Sequence, residues 1–592
     1  MKAMIKNKKG ITLIALIITI IVLLILAMVS INIAMNQGLI IQTKTATETY
    51  QAGTEKEIIG IAYNEYKIKE NDELYIEDAI VKGNDIIGWE ITFNQTQNKY
   101  FLSPDGLIGE KISFETWDGT SREKPNITED NNWHIENGSQ LKYLADFVND
   151  KLTQEEKGEL EITSETIIYL ENNIDLGAEF DDNGTIISGN YWEPIGMSKT
   201  APFVGIFDGN NKVIKRMCVN INENFGGLFG NSNTVKNLII QDSYVKSLNC
   251  SGGIVGALRG GSIENCTNIN TKVIAIEKTA GGIVGQSVDG NEIKKCTNTG
   301  KIESSYMTGG ITGNNKIDII DCYNSGNISG KKYCGGIYAY SAADSIVSNC
   351  ENSGEVIGTQ YVAGIIGYNS KNITITDSYN FGNIYSETTE NPGDYNCAGG
   401  ISCALGSGII KNCKNTGNVT CKTGSKWNRS GGICGWAGSS NGEAIISNCS
   451  NTGNILAEGY STYMTVAGGI YGDSDDDINV EKCYNSGRIF GKNAQYIYIG
   501  GIIGRYQQSG NFNLKNCYSK GTIKEENYTK FIRKGSIVGN ISTIDAKKTS
   551  NLFYMKSDTS LGALDSLDYE EQNVKEIDNN FDSLEEFIKW IK

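Results

Sequence analysis

Between Phe225 and Val538 one pattern recurs eleven times: a Gly-Gly-Ile-x-Gly opening, a short apolar run, then Asn-Cys-x-Asn-x-Gly-x-Ile. The copies opening at Gly281-Gly282, Gly309-Gly310, Gly431-Gly432 and Gly468-Gly469 are the clearest. They close as Cys296-Thr-Asn298-Thr-Gly300-Lys-Ile302, Cys322-Tyr-Asn324-Ser-Gly326-Asn-Ile328, Cys449-Ser-Asn451-Thr-Gly453-Asn-Ile455 and Cys483-Tyr-Asn485-Ser-Gly487-Arg-Ile489. A unit of roughly 25–35 residues cannot bury an apolar face by itself and has to stack on its neighbours, which makes a solenoid. More than half of the chain is therefore scaffold, and function has to sit on its surface or at its ends.

Each copy carries three short apolar runs rich in Ile and Val, such as Gly282-Ile-Val-Gly285, Glu292-Ile293 and Gly300-Lys-Ile302. Their length suits strands, and none has helical spacing. Proline is confined to Pro392 within the repeats, as a ladder that needs every backbone N–H requires. Three strands per turn with Gly and Asn corners describe a rung of a parallel β-helix. At a rung spacing of about 4.8 Å, eleven copies predict a rod on the order of 50 Å long. Equivalent residues then stack: Ile and Val inside, and Asn298, Asn324, Asn352, Asn380, Asn415, Asn451 and Asn485 as an amide ladder at a corner, where Asn tolerates left-handed backbone.

The GGIVG…NCxNxGxI pattern resembles the GLUG-motif repeat of bacterial surface proteins. The stretch Trp133-His-Ile-Glu-Asn-Gly-Ser-Gln-Leu-Lys-Tyr-Leu-Ala-Asp-Phe-Val148 resembles the short helical lead-in of such proteins. So do Asn173-Ile-Asp-Leu-Gly177, Trp192-Glu-Pro-Ile-Gly196 and Phe203-Val-Gly-Ile-Phe-Asp-Gly-Asn-Asn211. The resemblance runs from about Trp133 to about Tyr554. It implies a mainly β parallel β-helix and a surface location, and no particular activity.

Lys2, Lys6, Lys8 and Lys9 precede an apolar stretch from Ile11 to Ile33, interrupted by Thr12, Thr19, Ser30 and Asn32. It is long enough for a membrane span of roughly 20 residues. Basic residues on one flank place the N-terminus in the cytoplasm and everything after Met35 outside. With no second apolar stretch and no Leu-Pro-x-Thr-Gly sequence, this helix is the expected anchor. Lys8-Lys9-Gly10-Ile11-Thr12-Leu13-Ile14 resembles the processing site of type IV prepilins and pseudopilins. That resemblance implies cleavage after Gly10 by a prepilin peptidase, methylation of Ile11, and pilins as partners. Polymerising pilins carry Glu at the fifth mature position, where this chain has Ala15; that fits a minor or tip subunit, or plain anchoring, better than a major subunit. Beyond the span, residues 37–70 are helix-compatible, with Glu48, Glu55, Lys56, Glu57 and Lys67 as solvated charges. Gly88–Phe93 and Asn98–Leu102 are expected to pair as a hairpin.

The expected organisation is a leader (1–10), a membrane helix (11–35), a pilin-like helix with a small sheet (36–112) and a linker (113–132). A cap with the first rungs (133–225), the repeat β-helix (226–555) and a C-terminal cap (556–592) follow. In that last cap, Ser583 and Glu586 box a short helix whose Leu584, Phe587, Ile588 and Ile591 would cover the final rung.

A net charge of −16 argues against nucleic acid and anionic lipid as partners. Of fifteen cysteines, Cys266, Cys296, Cys322, Cys350, Cys413, Cys449, Cys483 and Cys517 share one repeat position, where Ser243 and Ser378 substitute. Ser would delete a metal ligand or half a bridge but fits a stack of small side chains, which is the expectation. Parallel in-register side chains also point alike rather than at one another. Cys250, Cys334 and Cys397 are better placed for an occasional disulfide.

His134 is the one histidine, which excludes Ser-His-Asp machinery in the solenoid; it reads as a structural cap residue. Carboxylate chemistry remains. Asp473, Asp475, Asp476 and Asp477 form the densest acidic cluster, read as a solvated turn with Ca²⁺ as the alternative occupant. Asp181-Asp182-Asn183-Gly184 reads as a turn.

Loop lengths point to a face. From Cys to the next Gly-Gly the chain takes thirteen to fifteen residues in the early copies, and seventeen to twenty-one from Ser378 onward. Stacking sets these inserts side by side. They carry Tyr385, Tyr395, Trp427, Tyr460, Tyr463, Tyr496 and Tyr498, a candidate contact surface for a glycan or protein, with edge shielding as the alternative. The whole reads as a non-enzymatic, membrane-anchored extracellular β-helix for adhesion or cell-surface contact, or a minor pilin-like subunit on a pilus. The alternative is a carbohydrate-active β-helix enzyme with paired carboxylates in one groove.

Overall fold

The structure is a computed structural model that describes residues 54–64, 66, 74–84, 88–102, 114–388, 395–424, 426–438, 442–475, 477–507, 511–541, 549–555, 574–577 and 580–591. The leader, the apolar stretch and the Gly10–Ile11 site lie outside the described residues. Among the described residues, no helix is long and apolar enough to cross a membrane. The chain divides into two compact units, residues 1–113 and 114–592.

The smaller unit has a helix over 54–64 and an antiparallel sheet of Ala79–Asn84, Gly88–Phe93 and Lys99–Leu102, so the expected hairpin is present with a third strand added. Ile59, Trp89, Ile91, Tyr100 and Leu102 form its core. Glu55, expected in solvent, is buried and accepts hydrogen bonds from Thr96 Oγ1 at 2.5 Å, Asn98 Nδ2 at 2.7 Å and Tyr100 Oη at 2.6 Å. Two donors from the turn between the last two strands and one from the final strand satisfy the carboxylate that the helix turns inward.

The larger unit is a parallel β-solenoid of about 12 turns. The turn beginning at Lys272 shows the plan. Lys272–Ala275 and Thr279–Gly281 lie in one sheet; Val284–Ser287, Glu292–Lys294 and Thr297–Asn298 lie in the other. Each pairs in parallel with its counterpart one turn on, as Val273 does with Ile302 and Val284 with Thr312. Five short strands per turn thus replace the expected three. Thr279–Gly281 and Thr297–Asn298 carry small and polar residues that an Ile/Val pattern cannot mark.

Isoleucine after the glycine pair is fully buried in turn after turn, from Ile254 through Ile283, Ile311 and Ile433 to Ile537. One continuous core runs from Trp117 to Leu552. The glycines are there for space. A Cβ on Gly431 would overlap the Cys434 carbonyl oxygen, and one on Gly432 the Gly469 carbonyl oxygen and the Asn451 side chain.

The asparagine ladder is present and wholly buried, from Asn268 through Asn298 to Asn485. From Asn268 to Asn451 each Nδ2 donates to Oδ1 of the next turn's asparagine at 2.7–2.9 Å. The left-handed backbone expected there belongs instead to the residue just before each cysteine of the column or its substitute Ser378: Asn265, Lys295, Asp321, Asn349, Asp377, Asn412, Asn448, Lys482 and Asn516, with φ between 50° and 57°. The ladder asparagines sit in strands, so their amides rather than their backbones serve the fold.

All fifteen cysteines are buried free thiols, and the disulfide expected at Cys250, Cys334 or Cys397 is not formed. At the repeat position each thiol donates to the carbonyl two residues back, as Cys296 does to Lys294 at 3.2 Å and Cys322 to Ile320 at 3.3 Å. Ser378 donates to Thr376 in the same way at 2.8 Å, which explains why Ser replaces Cys. Burial, first of all, holds the Cys296, Cys322 and Cys449 thiols well above their ordinary pKa.

Within the stretch expected as a linker, Glu115–Thr116 pairs with Ile174–Asp175 and Asn126–Ile127 with Trp133–Ile135, so it belongs to the lead-in turns. The helix Gly138–Val148 follows, capped by Asn137. His134 is held by Glu171 at 2.6 Å and stacks on Tyr169. Asp181 Oδ1 accepts from the Asn183 and Thr185 amides, closing the expected turn. The C-terminal helix Leu584–Ile591 has Ser583 as its cap, with Glu586 reaching back to the Asp582 amide. It does not cover the end of the solenoid. It lies on the flank, where Phe581 and Phe587 pack on Tyr484, Tyr518 and Phe553 from successive turns. The outward residue of the fifth strand is aromatic in those turns, and that offers the helix a better apolar seat.

Candidate functional site

The tight bend at each glycine pair folds the second strand of a turn toward the third, so that their outward faces meet across a crease. Two in-register columns form its walls. The first runs Phe225, Cys250, Thr279, Met307, Tyr333, Tyr361, Cys397, Arg429, Val466, Tyr498 and Arg533. The second runs Ala257, Gln286, Asn314, Tyr340, Tyr368, Ala404, Trp436, Asp473, Arg505 and Asn540. Cys250 Sγ reaches Gln286 Oε1 at 3.2 Å, Tyr333 meets Tyr340 at 5.1 Å between ring centres, and Arg533 Nη1 donates to Asn540 at 3.0 Å.

In the turns that open at Gly468 and Gly500 the inserts do not loop out. They lengthen the wall before the glycine pair into the unbroken strands Ile455–Gly468 and Ile489–Gly500, beside the shorter strands Tyr395–Gly399 and Trp427–Gly431. Tyr395, Trp427, Met464, Tyr496 and Phe531 align in register on this added width. Five of the seven expected aromatics come together here. Trp427 lies 6.2 Å from Tyr395 and 6.1 Å from Tyr463, and Tyr463 lies 4.8 Å from Tyr496. Phe531 joins Tyr496 at 4.7 Å and Tyr498 at 5.9 Å. Tyr395, Tyr463 and Phe531 remain 38–40% exposed, so the row is a surface rather than a core. Tyr385 and Tyr460 are not part of it. Tyr385 sits in the first strand of its turn between Ile357 and Thr420, and Tyr460 donates to Glu387 at 3.3 Å.

Beneath the row lies an ion cluster. Asp473, expected in a solvated turn, is fully buried, with Arg429 Nε on Oδ2 at 2.7 Å and Arg505 Nε and Nη2 on Oδ1 and Oδ2 at 2.7 Å. Asp475 stands half-exposed, 3.6 Å from an Nη2 of each arginine. Asp477 accepts from the Asn511 amide, and Asp476 lies outside the described residues. Two guanidiniums fill the Asp473 carboxylate, so the cluster lacks the open oxygen set that Ca²⁺ takes. Among the described residues no group of His, Cys, Asp and Glu is arranged to hold a metal.

Burial would raise the Asp473 pKa, but the two arginines outweigh it and hold the carboxyl below its usual range. Burial and then the Asp473 charge raise Asp475. The guanidinium of Arg429 is covered by Tyr395, Trp436 and Trp427, with its carbon 4.9, 4.7 and 5.3 Å from the ring centres. Arg505 lies 5.1 Å from Trp427.

An earlier stretch of the crease holds a second cluster that the sequence analysis missed. Tyr333 stacks on Tyr361 and Tyr340 on Tyr368, at 5.3 and 5.7 Å. Tyr306 and Lys332 close its rim. Trp436, Phe531, Arg429 and Arg505 were missed as well. All occupy fixed offsets from the glycine pair, so aligning the copies column by column outside the motif would have shown them.

The GLUG motif family matches residues 247–274. No curated protein matches the chain. Among solved structures, a putative immunoglobulin A1 protease from Bacteroides ovatus is 21% identical, over 47% of this chain and 86% of that one, with a TM-score of 0.35. The chain thus carries a GLUG motif on a β-solenoid, as a GLUG-repeat protein does.

Proposed function

We propose that this protein is a non-catalytic, surface-presented β-solenoid that contacts a ligand along the aromatic row of its crease. The supporting observation is the row itself: touching rings from successive turns, held in register by paired strands and left partly exposed. A folded protein gains nothing in its core from Tyr463 at 40% exposure. A rigid strip of Tyr and Trp offers large contact area at small entropic cost. The apolar stretch from Ile11 to Ile33 would hold the protein in a membrane with the solenoid outside, with or without prepilin-type cleavage at Gly10 and the pilin partners that this implies. Adhesion to another surface is the use such a strip suits.

The test is adhesion of cells displaying the full chain to immobilised glycans and to other cells. Tyr463→Ala with Tyr496→Ala should abolish it while thermal unfolding stays put. Retained adhesion by that variant, or turnover of a polysaccharide by the purified chain, would refute the reading. Mass spectrometry of the mature N-terminus decides the processing: methylated Ile11 supports it, and an intact Met1 leaves simple anchoring.

A further inference from the structure

The aromatic row is cationic on an acidic protein. Lys426 lies 5.9 Å from the ring centres of Trp427 and Tyr463, and Lys530 lies 5.0 Å from Tyr496. Arg533 lies 5.6 Å from Phe531, and Arg429 and Arg505 sit beneath. Five cations thus touch the row, against the two carboxylates Asp473 and Asp475 in its floor. The whole chain carries −16. A local excess of positive charge on a chain of the opposite sign needs a reason, because each cation would otherwise be free to serve any of the surrounding carboxylates. Lys426 and Lys530 are exposed and lean on rings instead. In addition, Arg429 is 1% exposed and its Nη1 has no hydrogen-bond acceptor among the described residues.

From this we infer that the ligand of the crease is an extended acidic polysaccharide, its carboxylate or sulfate groups meeting Lys426, Lys530 and Arg533 and its apolar sugar faces lying on the rings. The inference rests on the proposed binding role of the row. The length fits a chain: four steps at about 4.8 Å give a strip of roughly 19 Å. The geometry disfavours the other linear ligands. The strands carrying Trp427, Met464 and Tyr496 are paired on both sides, so a peptide has no edge to add to along the middle of the row. Neighbouring rings touch at 4.7–6.2 Å, leaving no slot between them for a nucleobase. A continuous strip flanked by ammonium groups suits sugar rings that carry charge at regular intervals.

The test uses the full chain in detergent against polygalacturonate, alginate and chondroitin sulfate, each beside its carboxyl-reduced or desulfated counterpart, with oligo(dT) as the nucleic-acid probe. At least one acidic chain should bind tenfold or more tightly than its neutral counterpart and weaken as salt rises. Lys426→Gln with Lys530→Gln should lower that affinity about tenfold without moving the melting temperature. Equal binding of acidic and neutral chains, abolished by Tyr463→Ala with Tyr496→Ala, would overturn the inference and leave the crease reading standing. A preference for oligo(dT) would overturn the inference in favour of nucleic acid. Binding of no glycan, with adhesion still dependent on Tyr463 and Tyr496, would also overturn it; loss of that dependence would remove the crease reading too.

Discussion

The turns that open at Gly309, Gly335 and Ala363 and those that open at Gly431, Gly468 and Gly500 share one interior and differ across one bend. Both halves hold the same isoleucine after the glycine pair, the same buried amide and the same thiol or hydroxyl column. In the turns at Gly335 and Ala363 the crease is closed by tyrosine stacked on tyrosine. In the late turns the wall is wider, its rings face solvent, and a charged cluster fills the floor. The interior is set by backbone spacing and tolerates little change, whereas the crease columns point away from it and vary turn by turn. Turns of one architecture can therefore carry unlike surfaces, and an ion cluster ties the late half to pH as tyrosines cannot.

The largest expected contrast comes from Asp473→Ala. It leaves two buried guanidiniums without their carboxylate, and breaking such a buried cluster costs about 3–5 kcal/mol. Fluorescence of Trp427 and Trp436 should report early unfolding of the late turns, while hydrogen exchange around Tyr333 stays at the parent level. Equal loss at both places would show that the halves unfold as one unit. Acid should act in the same direction. The folded pKa of Asp473 is depressed, so its contribution is complete above the ordinary carboxylate range and is lost as pH falls through the folded value. Asp475 is raised and has the opposite sign, so protonating it first relieves repulsion. Asp475→Asn should therefore remove any gain in late-turn stability on mild acidification and leave only the loss, read as unfolding midpoint against pH.

Changes to the shared interior should not distinguish the halves. Asn324→Ala and Asn451→Ala each orphan an amide partner on a neighbouring turn, at about 1–3 kcal/mol for each orphaned group, and should match in chemical denaturation. A marked difference would mean that the ladder is coupled to the crease. Cys449→Leu overpacks its column, at about 1–3 kcal/mol, while Cys449→Ser should be nearly neutral because Ser378 already makes the same bond. The smallest effect is that of Tyr463→Ala, within about 0.5 kcal/mol in thermal unfolding, with its consequence confined to binding. Trp427→Ala should cost more than Tyr463→Ala, since Trp427 also covers Arg429 and Arg505.

The repeat, the stacking and the amide ladder were legible because each follows from identical residues at one interval. Strand number was not, because strands such as Thr297–Asn298 hold no apolar pair. The aromatic row was legible as composition in the inserts, but whether those inserts loop or extend depends on pairing with the turn beside them. Asp473 was misread because its partners are distant in sequence: Arg429 precedes it by a whole turn and Arg505 follows by another. The C-terminal helix was recognised with its cap, yet its seat depends on the aromatic flank of Tyr484, Tyr518 and Phe553, which only the register reveals.

The asparagine ladder has a direction. From Asn268 to Asn451 each amide nitrogen donates to the asparagine one turn nearer the C-terminus, so each amide oxygen after the first accepts from the turn before it. A whole turn can thus be duplicated or deleted with donor still meeting acceptor at the join, whereas a partial turn breaks the chain of bonds. Length becomes a quantity that recombination between near-identical segments can adjust in integer steps. The crease lengthens or shortens with it, so the reach of the molecule can evolve without any new packing problem being solved.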